Sequence, residues 1–292
     1  MELFLEELIR LLPEKRVRQQ EPMDIHTTFR AGGPADYYVE PENREELASV
    51  LALCRNRQMP YYILGNGSNL LVGDRGYPGV MVSMGKGWSG ITVEGDRIRA
   101  GAGALLSAVA RAALKQGLDG LAFAAGIPGT VGGAVVMNAG AYGSEMAGIL
   151  AGATVLAPDG QVLVLPVEEL ELGYRRSCIP DKGYVVLEAE FALQPGDPAE
   201  IQALMENLAA RRRAKQPLEY PSAGSTFKRP EGYFAGKLIQ EAGLKGFSVG
   251  DAQVSEKHCG FVINRGQATA ADIRKLCSLV QERVKADSGV EL

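Results

Sequence analysis

Glycine and apolar side chains are interleaved through three stretches of this chain, Gly65–Gly76, Gly85–Gly103 and Gly126–Gly143. The 292 residues include 36 glycines, well above the usual ~7%. They are clustered, not spread as a flexible linker. Glycine among apolar neighbours means tight turns and close backbone approach, often to a ligand. The chain must therefore fold into turns and short elements that press backbone against something else.

The remaining composition is that of an ordinary folded protein, 46% hydrophobic and 23% charged, with a length that suits two or three domains. A net charge of -4 argues against a general nucleic-acid binder, which is usually basic. Cys54, Cys178, Cys259 and Cys277 lack metal-ligand spacing, so reduced thiols in a cytoplasmic protein are expected. His26 and His258 are the only histidines. A His-rich metal site is excluded, and no metal is expected. The acidic start, with Glu2, Glu6 and Glu7, is wrong for a secretory signal. Leu5, Leu8, Ile9 and Leu12 share one face of a short amphipathic helix instead. No apolar run approaches the ~18 residues a membrane span needs.

Up to about residue 194 the pattern is strand-rich. Strands are expected at 35–40, 61–64, 80–84, 91–93, 97–100, 153–157, 161–165 and 184–193. Helices are expected at 45–57, where Asn43 and Glu46 make a capping box, and at 105–116, stopped by Gly117. The turn at Pro158-Asp159-Gly160 marks a hairpin. The sequence Pro195-Gly-Asp-Pro198 is a plausible boundary. Beyond it, helices at 199–215, 234–242 and 270–286 with a strand at 260–264 indicate a small α+β domain. The expected division is a lead-in at 1–25, a two-part domain at 26–194 and a second domain at 198–292.

The P-loop pattern does not occur, and the glycine loops Gly65–Leu70 and Gly101–Leu106 both fall short of the dinucleotide fingerprint by its last glycine. A Rossmann oxidoreductase is therefore disfavoured. The loop Gly65-Asn66-Gly67-Ser68-Asn69 nonetheless follows a strand and offers successive N–H groups and two side-chain donors, which is the chemistry of an anion-binding nest. A plain tight turn has the same local pattern. The stretch 126–143 carries few large polar side chains. It could lie against a large apolar ligand while donating hydrogen bonds, or it could be a buried packing segment.

Six motifs together resemble the UDP-N-acetylenolpyruvoylglucosamine reductases, flavoenzymes of the vanillyl-alcohol-oxidase-like superfamily. They are Thr27–Pro34, Leu64–Val72, Gly126–Gly143, Gly173–Ser177, Pro221–Pro230 and His258–Asn264. The resemblance implies an α+β fold with a PCMH-type FAD-binding module at 26–194 and a smaller substrate domain. FAD would be the bound cofactor and NADPH the co-substrate, and UDP-N-acetylmuramate for peptidoglycan would be the product. FAD-contacting positions carried over are Gly65, Asn66, Gly67, Ser68, Asn69, Gly126, Ile127, Pro128, Gly129, Thr130, Gly132, Gly133, Asn138, Ala139, Gly140 and Tyr142. Arg175 matches the family's catalytic arginine, with Arg176 as its rival. Ser225 matches the proton donor, with Thr226 the neighbour to tell apart. Lys215, Lys228 and Arg229 are candidates for the UDP diphosphate.

His258 is expected to be a structural or substrate-edge residue. The family's third catalytic residue, a glutamate, would fall just beyond Leu292, and Glu291 lies upstream of that position, so a shortened C-terminus is expected. The short segment between Arg175 and Ser225 resembles the shorter (type II) subclass. Tyr184 and Tyr220 therefore do not inherit the substrate-covering tyrosine of the longer one. A monomer acting on a nucleotide sugar is the favoured state. Another flavin oxidoreductase on the same module, such as an alcohol or sugar oxidase, and a non-catalytic flavin-binding protein are the alternatives.

Overall fold

The computed structural model describes residues 2–292. In chain order the elements begin with α1 (Glu2–Leu11), β1 (Val17–Pro22), β2 (Pro34–Val39), α2 (Arg44–Asn56), β3 (Tyr61–Leu64), β4 (Tyr77–Ser83), β5 (Ile91–Glu94), β6 (Arg97–Gly101) and α3 (Leu106–Lys115). They continue with β7 (Leu118–Asp119), α4 (Val131–Val136), β8 (Gly140–Ala141), β9 (Ser144–Glu145), β10 (Leu150–Leu156), β11 (Val162–Pro166), β12 (Val185–Ala192), β13 (Gln194–Pro195) and α5 (Pro198–Lys215). The C-terminal part holds α6 (Ala235–Glu241), β14 (Ser248–Val249), β15 (Ala252–Val254), β16 (Val262–Asn264) and α7 (Ala270–Ser288).

The chain forms two compact units that do not follow the linear division expected from its sequence. The first comprises the described residues up to Gln19, with Tyr37–Asn66 and Gly79–Ala210. The second comprises Gln20–Asp36, Gly67–Pro78 and Arg211–Leu292. The reason lies in where the two early segments of the second unit spend their polar groups. Thr28 Oγ1 donates to Ser222 O at 2.6 Å, Asn264 Nδ2 donates to Phe29 O at 3.0 Å, and the Asp74 carboxylate accepts from Ala270 N and Ala271 N at 2.7 and 2.9 Å. These partners lie 194 to 235 residues away, and no local pattern announces them.

In the first unit an antiparallel sheet of order β11-β10-β12-β6-β5 forms the centre. The hairpin between β10 and β11 turns on Gly160 at φ +87°, with Asp159 Oδ1 accepting from Gln161 N. β3 and β4 run parallel, with Tyr61 opposite Val80 and Leu64 opposite Ser83. α2 buries Leu47, Val50, Leu51 and Cys54, a single helical face. Asn43 caps it by accepting from Glu46 N. The expected reciprocal bond is displaced: the Glu46 carboxylate accepts from Glu42 N because the Arg16 guanidinium holds it with two bonds of 2.7 Å. α1 also departs from expectation. Phe4, Leu8 and Leu12 are buried while Ile9 is exposed, because the stripe starts from Phe4, whose ring packs 5.1 Å from Tyr37.

The second unit is a three-stranded sheet, β14-β15-β16, with α7 packed on β14, β15 and α6. Ile273, Leu276, Val280 and Val284 give α7 its buried face. Thr269 and Asp272 form a complete capping box, and Gly289 ends the helix in the left-handed region. Among the described residues no helix is long and apolar enough to cross a membrane.

Candidate functional site

In the first unit the segment 126–143 is not a flat ribbon. It folds into the short helix α4 and the turn between β8 and β9. Its start is locked to neighbouring turns: Asn66 Nδ2 donates to Pro128 O at 2.8 Å, Leu106 N to Gly129 O, and Val131 N to Ala104 O. Gly126 and Pro128 remain exposed and Ile127 half-buried. The closeness explains Gly65, where a Cβ would sit 2.4 Å from the hydroxyl of buried Thr130.

Adjacent glycines in α4 have different reasons to be glycine. Gly132 is buried, and a Cβ there would lie 3.0 Å from Ala102 Cβ. Its place is dictated by the protein's own packing. Gly133 is exposed, and a Cβ would meet only Thr130 Oγ1, at 3.8 Å. Glycine inside a helix costs about 1 kcal/mol relative to alanine, so at Gly133 packing within the chain supplies no compensation. A planar ring lying on that surface would.

Among the described residues, three of the seven non-glycine residues at positive φ fall at this site: Asn138 (+39°), Tyr142 (+57°) and Arg175 (+55°). Such conformations persist only where the surroundings over-determine them. Asn138 is 0% exposed. Its amide donates to Gly173 O and accepts from Ala147 N. Asn138 was expected to contact cofactor, but its side chain is consumed in clamping the Gly173–Arg176 turn to the glycine-rich segment. Ala139 exchanges backbone bonds with Ala134 and Met146, and the Tyr142 hydroxyl donates to Leu208 O on α5.

The clamp separates the two candidate arginines. The half-buried Arg175 sends its guanidinium to Asn138 O at 3.3 Å and Gly140 O at 3.0 Å, with its charge 5.2 Å from the Tyr174 ring centroid. Arg176 is exposed and pairs with exposed Asp181 at 3.5 Å. Arg175 is thus the arginine held on the glycine-rich segment.

In the second unit Gly67, at φ +59°, packs on the turn at His26–Thr28. A Cβ there would lie 2.0 Å from His26 O, and Thr28 N donates to Gly67 O at 3.2 Å. Ser68 is half-buried and Asn69 exposed. Ser225 and Thr226 are distinguished as clearly as the arginines. Thr226 is anchored on β16's approach, its N–H donating to Gly260 O and its hydroxyl accepting from Val262 N. Ser225 follows Gly224 (φ +79°), is exposed, and its hydroxyl has no hydrogen bond among the described residues. Lys215 and Lys228 are exposed, and Arg229 stacks 4.4 Å from the Phe234 ring centroid.

His258 accepts from Gly260 N at Nδ1 and sits edge-on to Phe261. Burial, with the Lys215 charge adding to it, holds its pKa below the ordinary histidine value, so it is neutral at pH 7 with the proton on Nε2. Burial also pushes the Cys54 thiol to about 12 and Cys277 to about 11, and raises Cys178 and Cys259. None of the four is a thiolate nucleophile. Sequence reasoning missed Thr28, Asp74 and Asn264 as organising residues. The only signal was their place inside or beside the quoted motifs.

Comparison with known proteins agrees in both halves. The profile of the FAD binding domain matches residues 35–166. The profile of the UDP-N-acetylenolpyruvoylglucosamine reductase C-terminal domain matches 216–292. The UDP-N-acetylenolpyruvoylglucosamine reductase of Agathobacter rectalis is 54% identical over 99% of this chain and 96% of its own length. The crystal structure of the reductase of the same name from Thermus caldophilus superposes with a TM-score of 0.80 at 40% identity, over 91% of this chain and 94% of that one. Phl p 4, a glucose dehydrogenase, is 14% identical with a TM-score of 0.51, over 67% of this chain and 44% of that one; it shares the fold alone.

Proposed function

The chain belongs to the UDP-N-acetylenolpyruvoylglucosamine reductase family, and on that footing we propose that Arg175 and Ser225 carry its chemistry, with NADPH as reductant. Membership makes it a FAD-dependent oxidoreductase of peptidoglycan precursor synthesis. The observation that carries the proposal is the anchoring of Arg175 to Asn138 O and Gly140 O within the glycine-rich segment.

FAD, when bound, supplies hydride transfer from the nicotinamide to the terminal CH₂ carbon of the enolpyruvyl ether. Within the first unit, the surface at Gly133 and the turns at 65–66 and 126–130 fit that group, since Gly133 leaves room for a ring and Gly126 and Pro128 are exposed beside it. Hydride addition leaves negative charge that spreads into the substrate carboxylate. Arg175 meets that charge with a guanidinium whose orientation is already set by two backbone carbonyls, so little reorganisation is needed as charge develops. Ser225 donates its hydroxyl proton to the carbon bearing the ether oxygen. A serine hydroxyl is a weak acid; it serves where the acceptor is strongly basic and a cationic neighbour stabilises the alkoxide. Lys215, Lys228 and Arg229 bind the diphosphate of the nucleotide sugar.

Anaerobic titration of the holoprotein tests this. NADPH should bleach the flavin absorbance, and the enolpyruvyl nucleotide sugar should restore it. Ser225→Ala should leave bleaching nearly unchanged and slow the restoration by about 10²–10⁴-fold. Equal loss in both half-reactions would remove the proton-donor role. Arg175→Ala should slow restoration with FAD retained. Arg176→Ala, which removes an exposed pair worth about 0–1 kcal/mol, should do neither.

A further inference from the structure

We propose that Thr28 is a positioning residue whose hydroxyl fixes the loop that carries Ser225 relative to the Gly67 turn. This rests on the role of Ser225 proposed above. The loop 221–226 is held from both sides. Downstream, Thr226 is bonded through its N–H to Gly260 O and through its hydroxyl to Val262 N. Upstream, Pro221 O accepts from Asn264 N, and Ser222 O accepts the Thr28 hydroxyl at 2.6 Å in a half-buried setting. Between these anchors lie Ala223, Gly224 at φ +79° with open space where a Cβ would be, and Ser225, whose hydroxyl is bonded to nothing among the described residues. The Ser225 side chain therefore has no tether of its own, and its backbone is paired only with Phe261, through an isolated antiparallel bridge. Its placement is inherited from the anchors, and Gly224 is the conformationally permissive link through which a lost anchor would be felt.

Thr28 also reaches the other way. Its N–H donates to Gly67 O at 3.2 Å, in the loop expected to take the FAD pyrophosphate. The turn is tied further by Asn264 Nδ2, which donates to Phe29 O and Arg30 O at 3.0 and 3.3 Å. One residue thus joins the cofactor-side turn to the acid-bearing loop. Sub-ångström placement of a proton donor matters because misplacing a catalytic group by about 1 Å can cost 10²-fold.

Thr28→Val keeps the shape of the side chain and deletes the donor, whereas Thr28→Ser keeps the donor. Both holoproteins, Ser225→Ala, and the double variant Thr28→Val/Ser225→Ala would be compared in anaerobic stopped-flow half-reactions, with bound FAD measured from the absorption spectrum. Thr28→Val should retain FAD and be reduced by NADPH at a rate within about twofold of the parent, yet restore flavin absorbance with substrate at least about tenfold more slowly. Thr28→Ser should restore it at close to the parent rate. In the Ser225→Ala background Thr28→Val should add no further loss, since both changes remove the same proton delivery. The proposal is overturned by equal slowing of both half-reactions or loss of FAD in both Thr28 variants, by normal restoration in Thr28→Val, or by an undiminished Thr28→Val effect in the double variant. Normal restoration in Ser225→Ala removes the acid role and this proposal together; slow restoration there with a normal Thr28→Val removes this proposal alone.

Discussion

Alanine at Gly132 and at Gly133 should act in opposite directions, although the two residues are neighbours in α4. At Gly132 the new methyl lands 3.0 Å from Ala102 Cβ and 3.2 Å from Ala102 O in a buried position. Both obstacles belong to Ala102, whose O already accepts Gly132 N at 2.8 Å and whose Cβ is fixed to that same backbone, so neither yields cheaply. Overpacking of this kind costs about 1–3 kcal/mol. At Gly133 the methyl meets only Thr130 Oγ1 at an ordinary 3.8 Å, and the helix gains roughly 1 kcal/mol from replacing glycine. The apoprotein of Gly133→Ala should therefore be more stable than its parent, and that of Gly132→Ala less stable. FAD binding should separate them further. If the ring sits on this surface as proposed, a methyl there should weaken FAD at least about tenfold, equivalent to about 1.4 kcal/mol. Urea unfolding of the apoproteins and FAD titration by fluorescence quenching measure the two quantities. A Gly133→Ala protein that gains stability and binds FAD as tightly as the parent would refute the placement of the flavin on this face of α4.

Two further outcomes follow from the charged groups. Burial depresses the His258 pKa in the folded state, so between that value and the ordinary ~6.5 the unfolded chain binds more protons. Stability should then fall as pH drops through this window, and Lys215→Ala, which removes a cation acting in the same direction, should lessen the slope in urea midpoints. The Glu46 carboxylate is held below its usual range chiefly by the Arg16 hydrogen bonds. Its contribution is present above the unfolded carboxylate value and lost as pH falls through the folded one. With side chains only 10% and 20% exposed, Glu46→Gln should cost about 1.5–3 kcal/mol at pH 7 and nothing at a pH where the parent carboxylate is protonated.

Much of the local architecture was legible in the chain itself. The strand at Tyr61–Leu64, the Asp159-Gly160 hairpin, the Asn43 cap and the helix from Ala270 follow from turn chemistry and periodicity, which are set by neighbours a few residues apart. The α1 stripe was misjudged by one position because Phe4's partner, Tyr37, lies on another element. The Glu46 half of the capping box was lost to Arg16, thirty residues away. The candidate site was legible only as a set of motifs. Local pattern could not choose between Arg175 and Arg176, or show that the Asn138 side chain bonds the turn at Gly173–Arg176, because both depend on which carbonyls that turn meets.

Sequence alone determined the glycine-lined character of the chain, its short elements, and the absence of a P-loop, because each is a property of contiguous residues. Tertiary structure decided which of two adjacent arginines is anchored, which of two adjacent glycines packing demands, and which of Ser225 and Thr226 keeps its hydroxyl unspent. The physical reason is the same each time. A polar group or a missing Cβ is assigned its work by the atoms within about 4 Å of it, and here those atoms come from distant parts of the chain.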